Sequence, residues 1–278
     1  MIPNAAPTDS HSWRNGVDEW GRLWHQGRYA GGLVKTRDDL RRFSPPLDYA
    51  DQFFEADQVN RVKRLYPDHC LFYGSHIGPF TAGFMAMGFE RFFVCLSEDP
   101  GFVHELLEAR TEWCLAMYKR AVRLGIDVAV LGDDAGHTHG TMISPGMWRE
   151  FIFPHHQRIV RELSVPVIWH SDGAIQSLLP MAVEAGFAGL HGMEPDAGMD
   201  LGRIKKEFGR DLVLLGNVDV NVLFGPDLTG VRREVDRCLE QGTPGGGYML
   251  STCNSIFKGM NPAAVIELFR FARERVSR

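Results

Sequence analysis

One unit recurs in kind along this chain, though not in sequence. An apolar run of four to six residues is followed by a polar or glycine-rich end, then an amphipathic stretch, then a closing glycine. The apolar runs lie at 69–73, 126–131, 165–169, 187–190, 212–215 and 246–250. Continuous rather than alternating hydrophobicity in short segments marks strands buried on both faces, and strands alternating with helices imply βαβ units and a parallel sheet. The intervening stretches carry helix punctuation. Ser97 is placed to cap a long helix, with Glu98, Asp99 and Pro100 in its first turn and Val103, Leu106, Leu107, Cys114, Met117, Ala121 and Leu124 on one face. Gly125 stands at its left-handed stop. Ser144-Pro145 starts another helix, which Pro154 is expected to kink or split, and Asn261-Pro262 caps the last. Before the first run, residues 49–65 have helical spacing that Pro67 ends. Residues 18–28 (DEWGRLWHQGR) show no period and read as a surface loop, and residues 1–17 as a mobile terminus.

In such a fold the chemistry sits at the carboxyl ends of the strands. An open sheet uses only the ends near its switch point, whereas a barrel gathers all of them in one ring. Here five successive ends carry functional side chains: Asp133 and Asp134; His170 and Asp172; His191 and Glu194; Asn217 and Asp219; then Cys253. That distribution favours a barrel. His170 and Asp172, two apart in Trp169-His170-Ser171-Asp172-Gly173, point the same way if the strand geometry persists. Of Asp133 and Asp134, only one should face the mouth while the other caps a backbone turn.

His, Asp, Glu and Cys gathered on one face suit a metal. Zinc accepts His170 and Cys253 with Glu194 or Asp172 as a third ligand, leaving a position for substrate. The alternative is structural: a small buried thiol and a hydrogen-bonded core imidazole. The facing carboxylate of the 133–134 pair could hold a substrate cation, accept a proton or orient a ligand. His137 and His139 fall in a glycine-rich loop that could meet substrate. His155-His156 lies within a helix and reads as solvated surface. Gly245-Gly246-Gly247 lacks the lysine and serine of a phosphate loop.

Other classes are disfavoured. A net charge of -5 with scattered arginines does not suit a nucleic-acid binder. No stretch approaches the ~18 uninterrupted apolar residues of a membrane span, and no secretory leader opens the chain. Five cysteines without a CxxC pair suggest reduced thiols, so a cytoplasmic location is expected.

Several runs together resemble the uroporphyrinogen decarboxylase superfamily, a set of distorted (β/α)8 barrels that includes cobalamin-dependent methyltransferases. They are Leu131-Gly132-Asp133-Asp134, Ile143-Ser144-Pro145, Trp148 through Pro154, His170-Ser171-Asp172-Gly173, Glu194-Pro195 with Gly198-Met199-Asp200-Leu201, Gly216-Asn217-Val218-Asp219 and Gly246-Gly247-Tyr248. Gly132-Asp133-Asp134 and Asp18-Glu19-Trp20-Gly21 resemble the methyltransferase branch more than the decarboxylases; Gly27-Arg28-Tyr29 echoes the end of the decarboxylases' arginine-rich signature, but the preceding arginine is absent, with His25 near its place, and the echo is read as chance. The resemblance implies an α/β fold, a (β/α)8 TIM-like barrel that is distorted and shortened at the amino terminus. The chain is then a single barrel domain over residues 1–278, with 1–45 an irregular extension.

The resemblance further implies a methyltransferase, or demethylase component, acting on a small methylated substrate or on a corrinoid supplied by a partner protein. Catalytic candidates are Asp133, Asp134, His170 and Asp172; substrate candidates are His137, His191, Asn217 and Asp219. Branch members hold zinc with a His-x-Cys pair and a later cysteine. His170 and Cys253 match the outer members, and Asp172 stands where the middle cysteine would be, so Asp172 or Glu194 must complete the set if metal is bound. Decarboxylation of an acidic substrate and a non-catalytic binding barrel are the alternatives, and a homo-oligomer is compatible with either.

Overall fold

The computed structural model describes residues 15–54, 56–75 and 77–276; most of the terminal stretch 1–17, and His76 at the first strand end, lie outside the described residues. The chain divides into two compact units, Met1–Asp133 with Gly146–Val167, and Asp134–Pro145 with Ile168–Arg278.

The first unit opens with an antiparallel sheet of β1 (Asn15–Val17), β2 (Arg22–His25) and β3 (Arg28–Gly32), followed by α1 (Arg37–Arg42). The stretch 18–28, read as a loop, is therefore half hairpin, and the extension expected to be irregular is ordered over these elements. Two features explain the difference. Gln26 and Gly27 both take positive φ (48° and 72°), as a two-residue hairpin turn requires. The sheet is also tied by polar contacts that leave no hydrophobic period: Asp18 accepts from Arg22 Nε at 2.6 Å and Trp24 Nε1 at 2.8 Å. The Arg22 guanidinium lies 5.0 and 5.4 Å from the Trp20 and Trp24 ring centres.

The helix expected over 49–65 is two pieces, a 3-10 turn (Leu47–Phe53) and α2 (Ala56–Leu65), because Phe54 between them is extended. Next come β4 (Phe72–Ser75), α3 (Pro79–Met87) and α4 (Phe89–Glu98), the two helices meeting at Gly88, whose φ is 95°. The long helix is α5 (Pro100–Arg123), and its cap is Asp99 rather than Ser97: Asp99 accepts from the Phe102 N–H at 3.1 Å, while Ser97 belongs to α4. Every named face residue of α5 through Ala121 is buried, and Gly125 turns left-handed at φ 89°. Then β5 (Val128–Gly132) runs parallel to β4.

The helical segment that follows is split into α6 (Pro145–Phe151) and α7 (Phe153–Glu162). The break falls at Ile152, because Pro154 in the first turn of α7 has no N–H with which to continue the ladder of α6. His155 and His156 on α7 are buried, not solvated as expected. His155 shares a 2.8 Å hydrogen bond with Thr111 Oγ1, and His156 one of 2.7 Å with Asp133.

The second unit holds a short hairpin of β6 (Gly136–His137) and β7 (Gly140–Thr141), then four parallel strands. These are β8 (Val167–Ser171), β9 (Gly189–Gly192), β10 (Val213–Val218) and β11 (Tyr248–Thr252), each paired with the next in sequence. Between and after them run α8 (Leu179–Ala185), α9 (Leu201–Phe208), α10 (Leu228–Gly242) and α11 (Pro262–Val276). The strands continue beyond the apolar runs into polar residues. His170 stands in register with His191 and Asn217 with Ser251, so the backbone ladders run on through polar residues. Among the described residues, no single helix is long and apolar enough to cross a membrane.

Candidate active site

Asp133 and Asp134 follow β5 and part company. Asp133 has no exposed surface. Its Oδ1 accepts from the Thr81 N–H at 2.7 Å, its Oδ2 from the Phe80 N–H at 3.3 Å, and Oδ2 also lies 2.7 Å from His156 Nε2. Those amides lie in the first turn of α3, where backbone N–H groups have no acceptor within the helix and Pro79 has no N–H to offer, so Asp133 caps that helix. Gly78 makes the approach feasible, since a Cβ there would stand 2.2 Å from Asp133 Cβ and Cγ. Asp133 is thus the member of the pair that caps.

Asp134 joins His170 and Asp172: one ligand atom from each lies within 4.8 Å of the other two. Cross-strand pairing of β8 with β9 sets His170 beside His191, and their Nδ1 atoms are 2.7 Å apart. One nitrogen must donate and the other accept, which fixes the His170 ring and leaves its Nε2 3.6 Å from Asp172 Oδ1. Asp172, two residues on, points to the same side. Its N–H donates to Asp134 Oδ1 at 3.2 Å, and Asn254 Nδ2 donates to both its carboxylate oxygens at 3.1 Å. Asn254 also reaches Glu194 Oε1 at 3.4 Å, and Glu194 Oε2 accepts from the Gly173 N–H at 2.9 Å. Burial, then the neighbouring carboxylates of Asp134 and Glu194, push the Asp172 carboxyl up to about 7, against the pull of Asn254.

Cys253 is not a member of the Asp134, His170 and Asp172 group, and neither is Glu194. Cys253 is buried, and its N–H donates to Val218 O at 2.9 Å. Burial pushes its thiol up to about 12, with Glu194, Asp219 and Asp172 adding to the rise. Of the other candidates, His137 is exposed and its Nδ1 accepts from the His139 N–H at 3.2 Å. Asn217 has no exposed surface: its Nδ2 donates to Met193 O and Met199 O, and its Oδ1 accepts from Arg237 at 3.0 Å. Asp219 caps the 3-10 turn Val220–Leu223 by accepting from the Asn221 N–H at 2.8 Å. Sequence reasoning misses Asn254 and Ser171 as members of this network. Ser171 Oγ accepts from the Ala135 N–H and donates to Asp172 O, both at 2.9 Å. The available signal for Asn254 is its place beside Cys253 at a strand end; nothing local marks its partners.

The uroporphyrinogen decarboxylase (URO-D) family model matches residues 29–275. A methylated-thiol–coenzyme M methyltransferase of Methanosarcina mazei is 29% identical over 167 residues, covering 59% of this chain and 44% of that protein. A uroporphyrinogen decarboxylase of Alkalilimnicola ehrlichii is 25% identical over 242 residues, covering 82% of this chain and 64% of that protein. The chain thus spans less than two thirds of the length of either relative. Among solved structures, a methyltransferase from Methanosarcina mazei superposes with a TM-score of 0.77 at 20% identity, over 94% of this chain and 77% of that one. That likeness concerns the fold, the α/β barrel class expected from the distribution of functional residues over the strand ends and from the family resemblance.

Proposed function

Because the chain belongs to the uroporphyrinogen decarboxylase family, we propose that it moves a methyl group between an acceptor and either a small methylated substrate or a corrinoid held by a partner protein. The observation that carries this reading is the convergence of Asp134, His170 and Asp172 within 4.8 Å. One imidazole nitrogen and two carboxylate oxygens form a donor set that fits a divalent cation and leaves room for a substrate ligand. The relative named for methylated-thiol transfer supports methyl transfer as the chemistry.

Zinc held with His170 as its nitrogen donor would supply Lewis acidity toward the methyl-bearing atom or toward the acceptor. The chain's own groups bind and orient. His191 fixes the His170 ring, Asn254 holds Asp172 and Glu194 together, and Asp134 anchors the backbone entering the Asp172-Gly173 turn. His137 and Asp219 are the proposed substrate contacts on the adjoining loops. The concentration of carboxylates in the cluster disfavours a polyanionic substrate, which makes decarboxylation the weaker reading.

The test is incubation of the protein with methylcobalamin and a panel of thiols and amines, coenzyme M included. Acceptor-dependent demethylation, followed by absorbance and lost in His170→Ala with its melting temperature retained, is the expected result. No transfer to any acceptor, together with carbon dioxide release from a carboxylated tetrapyrrole, would overturn the reading.

A further inference from the structure

We propose that the cation site of this chain is built from Asp134, His170 and Asp172 without any thiolate, so that it takes a borderline divalent transition ion through one nitrogen and two oxygens. The inference rests on the functional reading above only for the presence of a cation; the identity of the donors comes from the geometry. Two segments deliver the donors: the exit of β5, and the end of β8 with the residue beyond it. Their ligand atoms lie within 4.8 Å of one another, a set that includes neither Cys253 nor Glu194. His170 offers Nε2, because its Nδ1 is committed to His191 at 2.7 Å, the arrangement by which a neighbour fixes a ligating imidazole. Asp172 is held by the two 3.1 Å bonds from Asn254, one to each carboxylate oxygen.

Charge balance points the same way. Two carboxylates neutralise a divalent cation, whereas a third anionic donor from Cys253 would leave surplus negative charge in a buried place already bordered by Glu194. Oxygen donors also shift preference away from soft, thiolate-seeking ions and toward those that accept imidazole with carboxylate, such as Zn2+, Co2+ and Mn2+.

Cobalt(II) loading of the purified protein, read by absorbance and by metal analysis after dialysis, tests the donor set without reference to turnover. The expected spectrum has weak visible bands and no near-ultraviolet sulfur-to-cobalt charge-transfer band. Cys253→Ala should keep the same spectrum and metal content. His170→Ala, Asp134→Asn and Asp172→Asn should each lose the metal, and Asn254→Ala should weaken it by roughly 10–100-fold. His170→Gln serves as the second variant if His170→Ala does not fold. A charge-transfer band, loss of metal in Cys253→Ala, or no cobalt or zinc bound by the folded wild type would each overturn the proposal. Metal bound as described with no methyl transfer would instead refute only the functional reading.

Discussion

Replacing Asp133 and replacing Asp134 should produce opposite phenotypes, although the two are adjacent in sequence. Asp133→Ala removes the anionic cap of α3 and the 2.7 Å partner of His156 in a place with no solvent to substitute. Loss of a cap costs about 1 kcal/mol. Loss of a buried hydrogen bond to a charged group adds about 1.5–3 kcal/mol. The sum, about 2.5–4 kcal/mol, corresponds to a fall in melting temperature of roughly 10 °C for a domain of this size. Asp133→Asn keeps one acceptor for the helix amides and should lose about half as much. Asp134→Asn, whose carbonyl can still accept the Asp172 N–H, should melt within roughly 2 °C of the wild type but fail to retain cobalt. Thermal unfolding by circular dichroism beside metal analysis reads both. If Asp133→Ala melts like the wild type while losing metal, the assignment of Asp133 as a helix cap is wrong.

Acid stability should depend on His155. Burial, then the neighbouring His156 and His104, hold its pKa down at about 4, below the ordinary histidine value. The unfolded chain therefore binds the extra proton first, so the stabilisation is present above about pH 6.5 and lost as pH falls toward 4, by an amount on the order of 3 kcal/mol. Urea midpoints measured from pH 7 to pH 4 should fall less steeply in His155→Phe, and an unchanged slope would count against the burial argument. Gly78→Ala should destabilise strongly, because its Cβ would meet Asp133 at 2.2 Å while the carboxylate is tied to α3; a melt equal to wild type would show that the cap can shift. Asp18→Ala should cost about 2–3 kcal/mol, since Arg22 Nε and Trp24 Nε1 both donate to that carboxylate. Protease sensitivity that rises at residues 15–32 alone would locate the loss in the three-stranded sheet.

Strands β8, β9 and β10 are legible in the sequence because burial on both faces leaves apolar runs, whereas β4 and β11 are only part-buried and are marked by their place in the strand-helix alternation. The ends of β8, β9 and β10 are not legible, because His170, His191 and Asn217 carry the strands on with polar residues whose side-chain partners are distant in sequence: His170 and His191 meet each other, and Asn217 meets Met193, Met199 and Arg237. The same blindness affects α7: His155 and His156 look like surface residues until Thr111 and Asp133 are seen to meet them. The opening hairpin escapes for a related reason. It is held by an aspartate shared between arginine and tryptophan, and only the Gln26-Gly27 turn carries a local signal.

At the candidate site, local backbone geometry reaches only so far. Alternation along a strand is enough to put His170 and Asp172 on one side and to divide Asp133 from Asp134. Choosing the third member requires distances between segments. Cys253 and Asp134 are equally plausible partners for His170 by type and by strand position. What separates them, among the described residues, is that the aspartate brings a ligand atom within 4.8 Å of both others and the cysteine does not. Asn254 makes the same point from outside the triad. An amide beside a cysteine at a strand end carries no pattern of its own, yet its two 3.1 Å bonds hold the carboxylate on which the proposed donor set depends. A substitution at residue 254 should therefore move metal affinity while one at residue 253 does not, although sequence chemistry alone would rank them the other way.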